Sequence, residues 1–185
     1  MQNLIFHSIP GEKASKLFAL LKDKCNGQAF VTNSEVCLEA PIANDLKAEE
    51  QESLIVAFPD NIESVSKEEL SKQVLTTSFE WLQRFVQTRM KKRFGQVLFL
   101  INANANGLLY SENINKEQVF LEAGLVGLMK TVSKEYSKRG ILSNAIYIDW
   151  NHTELDEVSD LVSKLFVENK SLKGQVFALD GGKWL

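Results

Sequence analysis

The sequence predicts a doubly wound α/β domain, with a mostly parallel sheet, helices on both faces and a shortened first half. Three observations lead there. Short apolar runs alternate with helix-period segments five times or more along the chain. The runs Leu54–Phe58 and Val97–Ile101 are continuous rather than alternating, as strands covered on both faces require. The 185 residues, 44% hydrophobic and 24% charged, suffice for one full core, and no repeat, linker or low-complexity segment divides residues 1–185.

The elements follow in order. Asn3–His7 reads as a strand closed by Pro10-Gly11, after which Leu17, Phe18, Leu20 and Leu21 recur at helical spacing as far as Gly27. Residues 28–53 read as irregular, with Ala29–Thr32 and Val36–Leu38 as possible short strands and a polar, acidic stretch from Pro41 to Glu52. Leu54–Phe58 is a strand stopped by Pro59-Asp60. Ser66 with Glu69 forms a capping-box signature that opens a long helix, Ser66–Phe94, ending towards Gly95. Lys91, Lys92 and Arg93 in its last turn suit the negative end of the helix dipole, without any need for a phosphate. Val97–Ile101 is the next strand. Asn115 caps a helix over Lys116–Arg139 that Gly140 stops, and Ala123, Gly124 and Gly127 permit close helix contact along it. Leu142–Ile148 is a strand, Asn151 or Thr153 opens a helix carrying Val158, Leu161, Val162, Leu165 and Phe166, and Gln175–Leu179 closes the sheet. Parallel strands need crossover connections, and these helices supply them.

Composition narrows the function. A net charge of −3 gives no broad electrostatic reason to bind nucleic acid or an anionic membrane. Cys25 and Cys37 are too few for a disulfide scaffold and, with two histidines, do not form recognised zinc spacing; they are expected as buried thiols in a reducing cytosol. No apolar stretch approaches about 18 residues and the first ten lack a basic lead-in, so a soluble, unprocessed cytoplasmic protein with no metal is expected.

Particular residues carry a resemblance. Ala123-Gly124-Leu125-Val126-Gly127-Leu128-Met129-Lys130, with Glu135, Gly140-Ile141 and Ser143-Asn144-Ala145-Ile146, resembles the helix and strand after the active-site tyrosine of short-chain dehydrogenases/reductases. The ending Gly174-Gln175-Val176-Phe177-Ala178-Leu179-Asp180-Gly181-Gly182 is similar to the family's last strand, and Met90-Lys91-Lys92 to Gly95-Gln96-Val97 to the run into its fifth. The 3-oxoacyl-carrier-protein reductases are the members it most resembles. The similarity covers Ser53 to the C-terminus well and the first half loosely, and it implies a Rossmann-like fold.

The family's chemistry does not carry over. The resemblance implies a tyrosine that protonates substrate, a lysine four residues later, a serine that fixes substrate and a supporting asparagine. Laid on this sequence, the tyrosine position holds Gln118, the lysine position Glu122, the serine position falls on or near Asn102, and the asparagine falls near Thr77 or Ser78. An amide has no proton to give at useful pKa, and a carboxylate raises rather than lowers the pKa of a neighbouring acid. Four residues after Tyr110, Tyr136 and Tyr147 stand Ile114, Gly140 and Asn151, so no tyrosine-lysine pair exists at helical spacing. The glycine-rich cofactor turn matches Phe6-His7-Ser8-Ile9-Pro10-Gly11-Glu12-Lys13, where Gly11 alone survives, His7 fills phosphate space and the Glu12 carboxylate opposes a dinucleotide anion. Phe58-Pro59-Asp60 stands where the family has asparagine-alanine-glycine. The chain between the first strand and Leu54 is also shorter than the family's.

These substitutions predict no catalytic residues at Asn102, Gln118 and Glu122, and no cofactor at His7, Gly11 and Glu12. The expected role is a catalytically degenerate family member, a homo-oligomer or a partner of an active reductase, joined through helices 66–94 and 116–139. Trp81 and Trp184 are the candidate anchors of that contact. The alternative is an NAD(P)H-dependent reductase of ketones or 3-oxoacyl thioesters, with Tyr110 as proton donor. A third reading, a small-ligand module at the strand ends, draws on His7 and on His152 beside Asp149 and Glu154. That cluster has no nucleophile, since Ser143 lies inside a strand.

Overall fold

The computed structural model describes residues 3–8, 12–24, 29–33, 51–57, 75–103, 116–167 and 171–181. Its elements are β1 (Asn3–Ser8), α1 (Glu12–Lys24), β2 (Ala29–Asn33), β3 (Gln51–Ala57), α2 (Thr77–Lys92), β4 (Gly95–Asn102), α3 (Lys116–Tyr136), a 3-10 turn (Ser137–Arg139), β5 (Ile141–Ile148), α4 (Leu155–Val167) and β6 (Val176–Leu179). The six strands form one sheet in the order β2-β1-β3-β4-β5-β6, and every described pair is parallel.

The doubly wound expectation holds, and two segments correct it in detail. Residues 28–53, expected as irregular with Ala29–Thr32 as a possible short strand, contain β2 at that place and the first residues of β3. Both segments are completed by pairing with β1, in register Leu4 to Ala29 on one side and Leu4 to Ser53 on the other, so a polar start is tolerated where backbone hydrogen bonds supply the partner. Among the described residues β2 is the edge of the sheet, with no strand outside it. The expected helix start at Ser66 and the possible strand Val36–Leu38 lie outside the described residues.

Strand alternation divides the core into two layers. Val97, Phe99 and Ile101 of β4 pack with Leu54, Val56, Leu82, Phe85, Leu121, Leu125 and Met129 under α2 and α3. Leu98 and Leu100 pack with Ile55, Ala57, Leu17, Leu21, Ile146, Ile148, Trp150, Val158 and Val162 under α1 and α4. All eight residues of β4 are buried, which accounts for the unbroken apolar run read in the sequence.

The helix ends also depart from expectation. α2 closes on Arg93 in the left-handed region (φ 54), whose N–H donates to the Arg89 carbonyl at 3.0 Å, and Gly95 already belongs to β4. A Cβ at 95 would sit 3.0 Å from Arg89 Cγ, a tight contact against the buried stem of that side chain. Trp81, a candidate interface anchor, is only 4% exposed and belongs to the core under α2 and α3, because its position on α2 faces the sheet. Trp184 lies outside the described residues.

Candidate functional site

In open α/β sheets, ligands bind outside the carboxyl ends of the strands, where the strand order reverses. Here that point lies between β1, which turns to β2 on one side, and β3 on the other. The carboxyl edge brings together the start of α1, Ala57 ending β3, Asn102 ending β4 and the turn 149–153 leaving β5.

Of the residues expected at the family's site positions, Asn102 closes β4 and is 5% exposed, and Glu122 on α3 is 1% exposed. Gln118 lies one helical turn before Glu122 in α3. Ser78 is buried in the first turn of α2, beside Thr77. His7 lies in β1 and Glu12 opens α1. Gly11 and Tyr110 lie outside the described residues, as do Cys25 and Cys37, the side chains of His7, Glu12, Thr77 and Gln118, and the segment Phe58-Pro59-Asp60.

The turn after β5 is the best-braced part of this edge. The Asp149 side chain is buried and accepts the Asn151 N–H at 3.0 Å and the His152 Nδ1 at 2.8 Å. A carboxylate only accepts, so Nδ1 carries the imidazole proton in this contact. The Asp149 N–H donates to Leu179 O at 2.8 Å, the His152 N–H to Asp149 O at 3.0 Å, and the Thr153 hydroxyl to Leu179 O at 3.0 Å. Thr153 is therefore spent on β6. Glu154 is exposed, and its backbone carbonyl accepts the Val158 N–H at the start of α4. The structure thus brings Asp149 and His152 together and leaves Glu154 at the surface.

Sequence reasoning missed one residue of this edge. Lys13, in the first turn of α1, donates from Nζ to the carbonyl oxygen of Trp150 at 2.7 Å. No periodicity signals such a contact, because its two ends are 137 positions apart. Elsewhere, a cavity of about 10 Å³, room for one water, lies at the amino ends of β4 and β5, lined by Gln96, Leu142, Asn144 and Leu165. Among the described residues, no group of three or more His, Cys, Asp or Glu side chains is placed to hold a metal ion, and no helix is long and apolar enough to cross a membrane.

Comparison with solved structures decides the fold. A short-chain dehydrogenase from Leptospira borgpetersenii with bound NAD+ superposes at TM-score 0.75, with 15% identity, over 98% of this chain and 92% of that one. The chain has the short-chain dehydrogenase/reductase fold. An oxidoreductase of the same family from Burkholderia thailandensis matches at TM-score 0.72 and 13% identity, over 98% of this chain and 92% of that one. By sequence, this short-chain dehydrogenase/reductase-like chain is distantly similar to the 3-oxoacyl-acyl-carrier-protein reductase MabA of Mycobacterium avium, 29% identical over 86 residues. That match spans 46% of this chain and 32% of the reductase. No protein-family model matches the chain.

Proposed function

We propose that this chain is a catalytically degenerate member of the short-chain dehydrogenase/reductase fold that works as an oligomeric or accessory subunit, with itself or beside an active reductase. The observation that carries the reading is Glu122: an almost fully buried carboxyl group stands on α3 where the resemblance calls for a lysine, one turn after an amide in the tyrosine's place. The amide has no proton to give at useful pKa, and a carboxylate raises rather than lowers the pKa of a neighbouring acid.

Two long helices on one face of the sheet support an assembly role. At one end Met90 of α2 accepts from Arg139 Nη1, in the turn after α3, at 3.5 Å, and at the other Leu75, just before α2, lies against Gly124 of α3. Their apolar exposure is concentrated at Phe79 (49%) and Phe120 (71%), one near the start of each helix. α2 carries Glu80 in its first turn and Lys91 in its last, so an antiparallel pairing of two copies about a two-fold axis sets opposite charges face to face.

Titration of NADH and NADPH against tryptophan fluorescence, together with turnover of a 3-oxoacyl thioester, tests the reading. No saturable binding and no turnover are expected. Saturable binding with turnover overturns it in favour of an NAD(P)H-dependent reductase with non-standard residues.

A further inference from the structure

The carboxyl ends of α2 and α3 come to one place. A Cβ on Gly140 would lie 1.9 Å from the Arg93 carbonyl oxygen, the Gly95 N–H donates to the Gly140 carbonyl at 3.2 Å, and Arg139 Nη1 reaches Met90 Sδ at 3.5 Å. Two basic stretches therefore stand side by side: Lys91, Lys92 and Arg93 where α2 ends, and Lys134, Lys138 and Arg139 where α3 passes into the 3-10 turn. All of these residues are exposed. Within 91–95 and 133–140 the only acid is Glu135.

The helix dipole does not account for so much charge. A helix carboxyl end carries about half a negative charge, so two of them call for about one cation. Six cations less one carboxylate leave roughly four positive charges beyond that requirement. Lys91, Arg93, Lys134, Lys138 and Arg139 have no carboxylate within ion-pair range among the described residues, so the excess is not neutralised locally. It stands on a chain whose net charge is −3.

The surroundings select the kind of anion that fits. The Arg93, Gly95 and Gly140 N–H groups donate to Arg89 O, Gly140 O and Ser137 O, so those amides are not left to cradle a phosphate. The exposed aromatic side chains of these helices, Phe79 and Phe120, stand at their other ends, so no exposed ring here offers a base a stacking surface. What remains is long cationic side chains on two rigid helix ends, which suit carboxylates carried on a partner's surface. We propose that the paired carboxyl ends of α2 and α3 form a docking surface for an acidic face of another folded protein. This surface lies beyond the contact at Phe79 and Phe120 and requires neither that contact nor the loss of catalysis.

Fluorescence anisotropy of the full chain with a labelled glutamate-rich peptide tests it, with a DNA duplex and phosphatidylserine vesicles as rival probes. Saturable binding of the peptide is expected, weakening steeply with added salt. It is expected to be about ten-fold weaker in Lys134→Glu with Lys138→Glu and unchanged in Lys164→Glu, a charge reversal on the exposed side of α4. Lys134→Gln with Lys138→Gln is expected to melt no lower than wild type, since the charges removed exceed what the helix ends need. Absence of peptide binding, or an equal loss in Lys164→Glu, overturns the docking surface. So does a lowered melting temperature with unchanged peptide binding, which assigns these cations to the helix ends alone. Tighter binding of the duplex or the vesicles overturns it in favour of a nucleic acid or a lipid surface. Self-association abolished by Lys134→Glu with Lys138→Glu overturns it in favour of a second copy of this chain.

Discussion

Gly140 and Gly127 sit 13 positions apart in sequence and respond oppositely to the same substitution. Gly140 takes φ +80 at the junction of the 3-10 turn and β5, and a Cβ there would lie 1.9 Å from the Arg93 carbonyl oxygen. Its N–H and carbonyl are both engaged, to Ser137 O at 3.0 Å and from the Gly95 N–H at 3.2 Å, so the backbone has no room to yield. Gly140→Ala is expected to destabilise by about 2–4 kcal/mol, through strain and through separation of two chain segments. Gly127 lies in the middle of α3 with nothing within 4 Å of an added Cβ. Gly127→Ala is expected to stabilise by about 0.5–1 kcal/mol through helix propensity. Urea unfolding of the two variants measures both signs, and loss of stability in Gly127→Ala would mean that another surface already covers α3 there. The turn stop at Gly140 was readable from its place after a helix-period run. Its contact with Arg93 was not, because the two come together only when β4 and β5 pair.

At the scale of elements, α1 and α4 are fastened by Lys24, whose ammonium reaches Asp160 at 2.8 Å, Asp156 at 3.4 Å and the Ser159 hydroxyl at 2.7 Å. The hydrogen bond from Lys24, with its charge, lowers the Asp160 carboxyl below its ordinary 3.8, and the bond to Asp160 raises the Lys24 ammonium above 10.5. A lowered carboxylate contributes stability that is present above its unfolded value and lost as pH falls through the folded one. A raised lysine contributes stability that is present below its unfolded value and lost as pH rises through the folded one. The pair therefore supports the fold between those limits, weakly, since both groups face solvent. Asp160→Asn is expected to flatten the acid limb of a stability-against-pH curve and to lose its difference from wild type in high salt, as thermal melts across the acid range will show. An undiminished acid limb would place the charge effect elsewhere. The amphipathic period of α4 was legible in Val158, Leu161, Val162 and Leu165. That its exposed acids would meet the end of α1 was not, because charged residues on a solvent face give no register.

For the whole molecule, the proposed assembly makes the sharpest demand. If α2 and α3 pair with a second copy, Phe79 and Phe120 leave water on association, and a carboxylate at either place is left facing an apolar partner. The wild-type chain is expected to run as a dimer or larger in size-exclusion chromatography with light scattering at micromolar concentration, and Phe79→Asp with Phe120→Asp to run as a monomer with its melting temperature little changed. A wild-type monomer removes the homo-oligomer and leaves only a mixed complex. The aromatic anchor anticipated on this face, Trp81, turned out to be core. Phe79, two positions earlier, is 49% exposed, as it must be if Trp81 is inside, because residues two apart leave a helix about 200° from one another.

Local patterning was enough for the class of fold: continuous apolar runs reported strands buried on both faces, and helical periods between them reported the crossovers that parallel strands require. The same patterning, set beside a known family, is what proposes Asn102, Gln118 and Glu122 as the counterparts of its site positions, because residue identity at a given spacing is a property of the chain alone. Packing in three dimensions decided the rest. β2 and the start of β3 became strands because β1 offered backbone partners on both sides, Asp149 met His152 because β6 buttresses their turn, and Lys13 reached Trp150 because the sheet brings the two together. Each of these contacts joins groups whose partners are set by strand order, and strand order is an outcome of global packing that no short window of sequence contains.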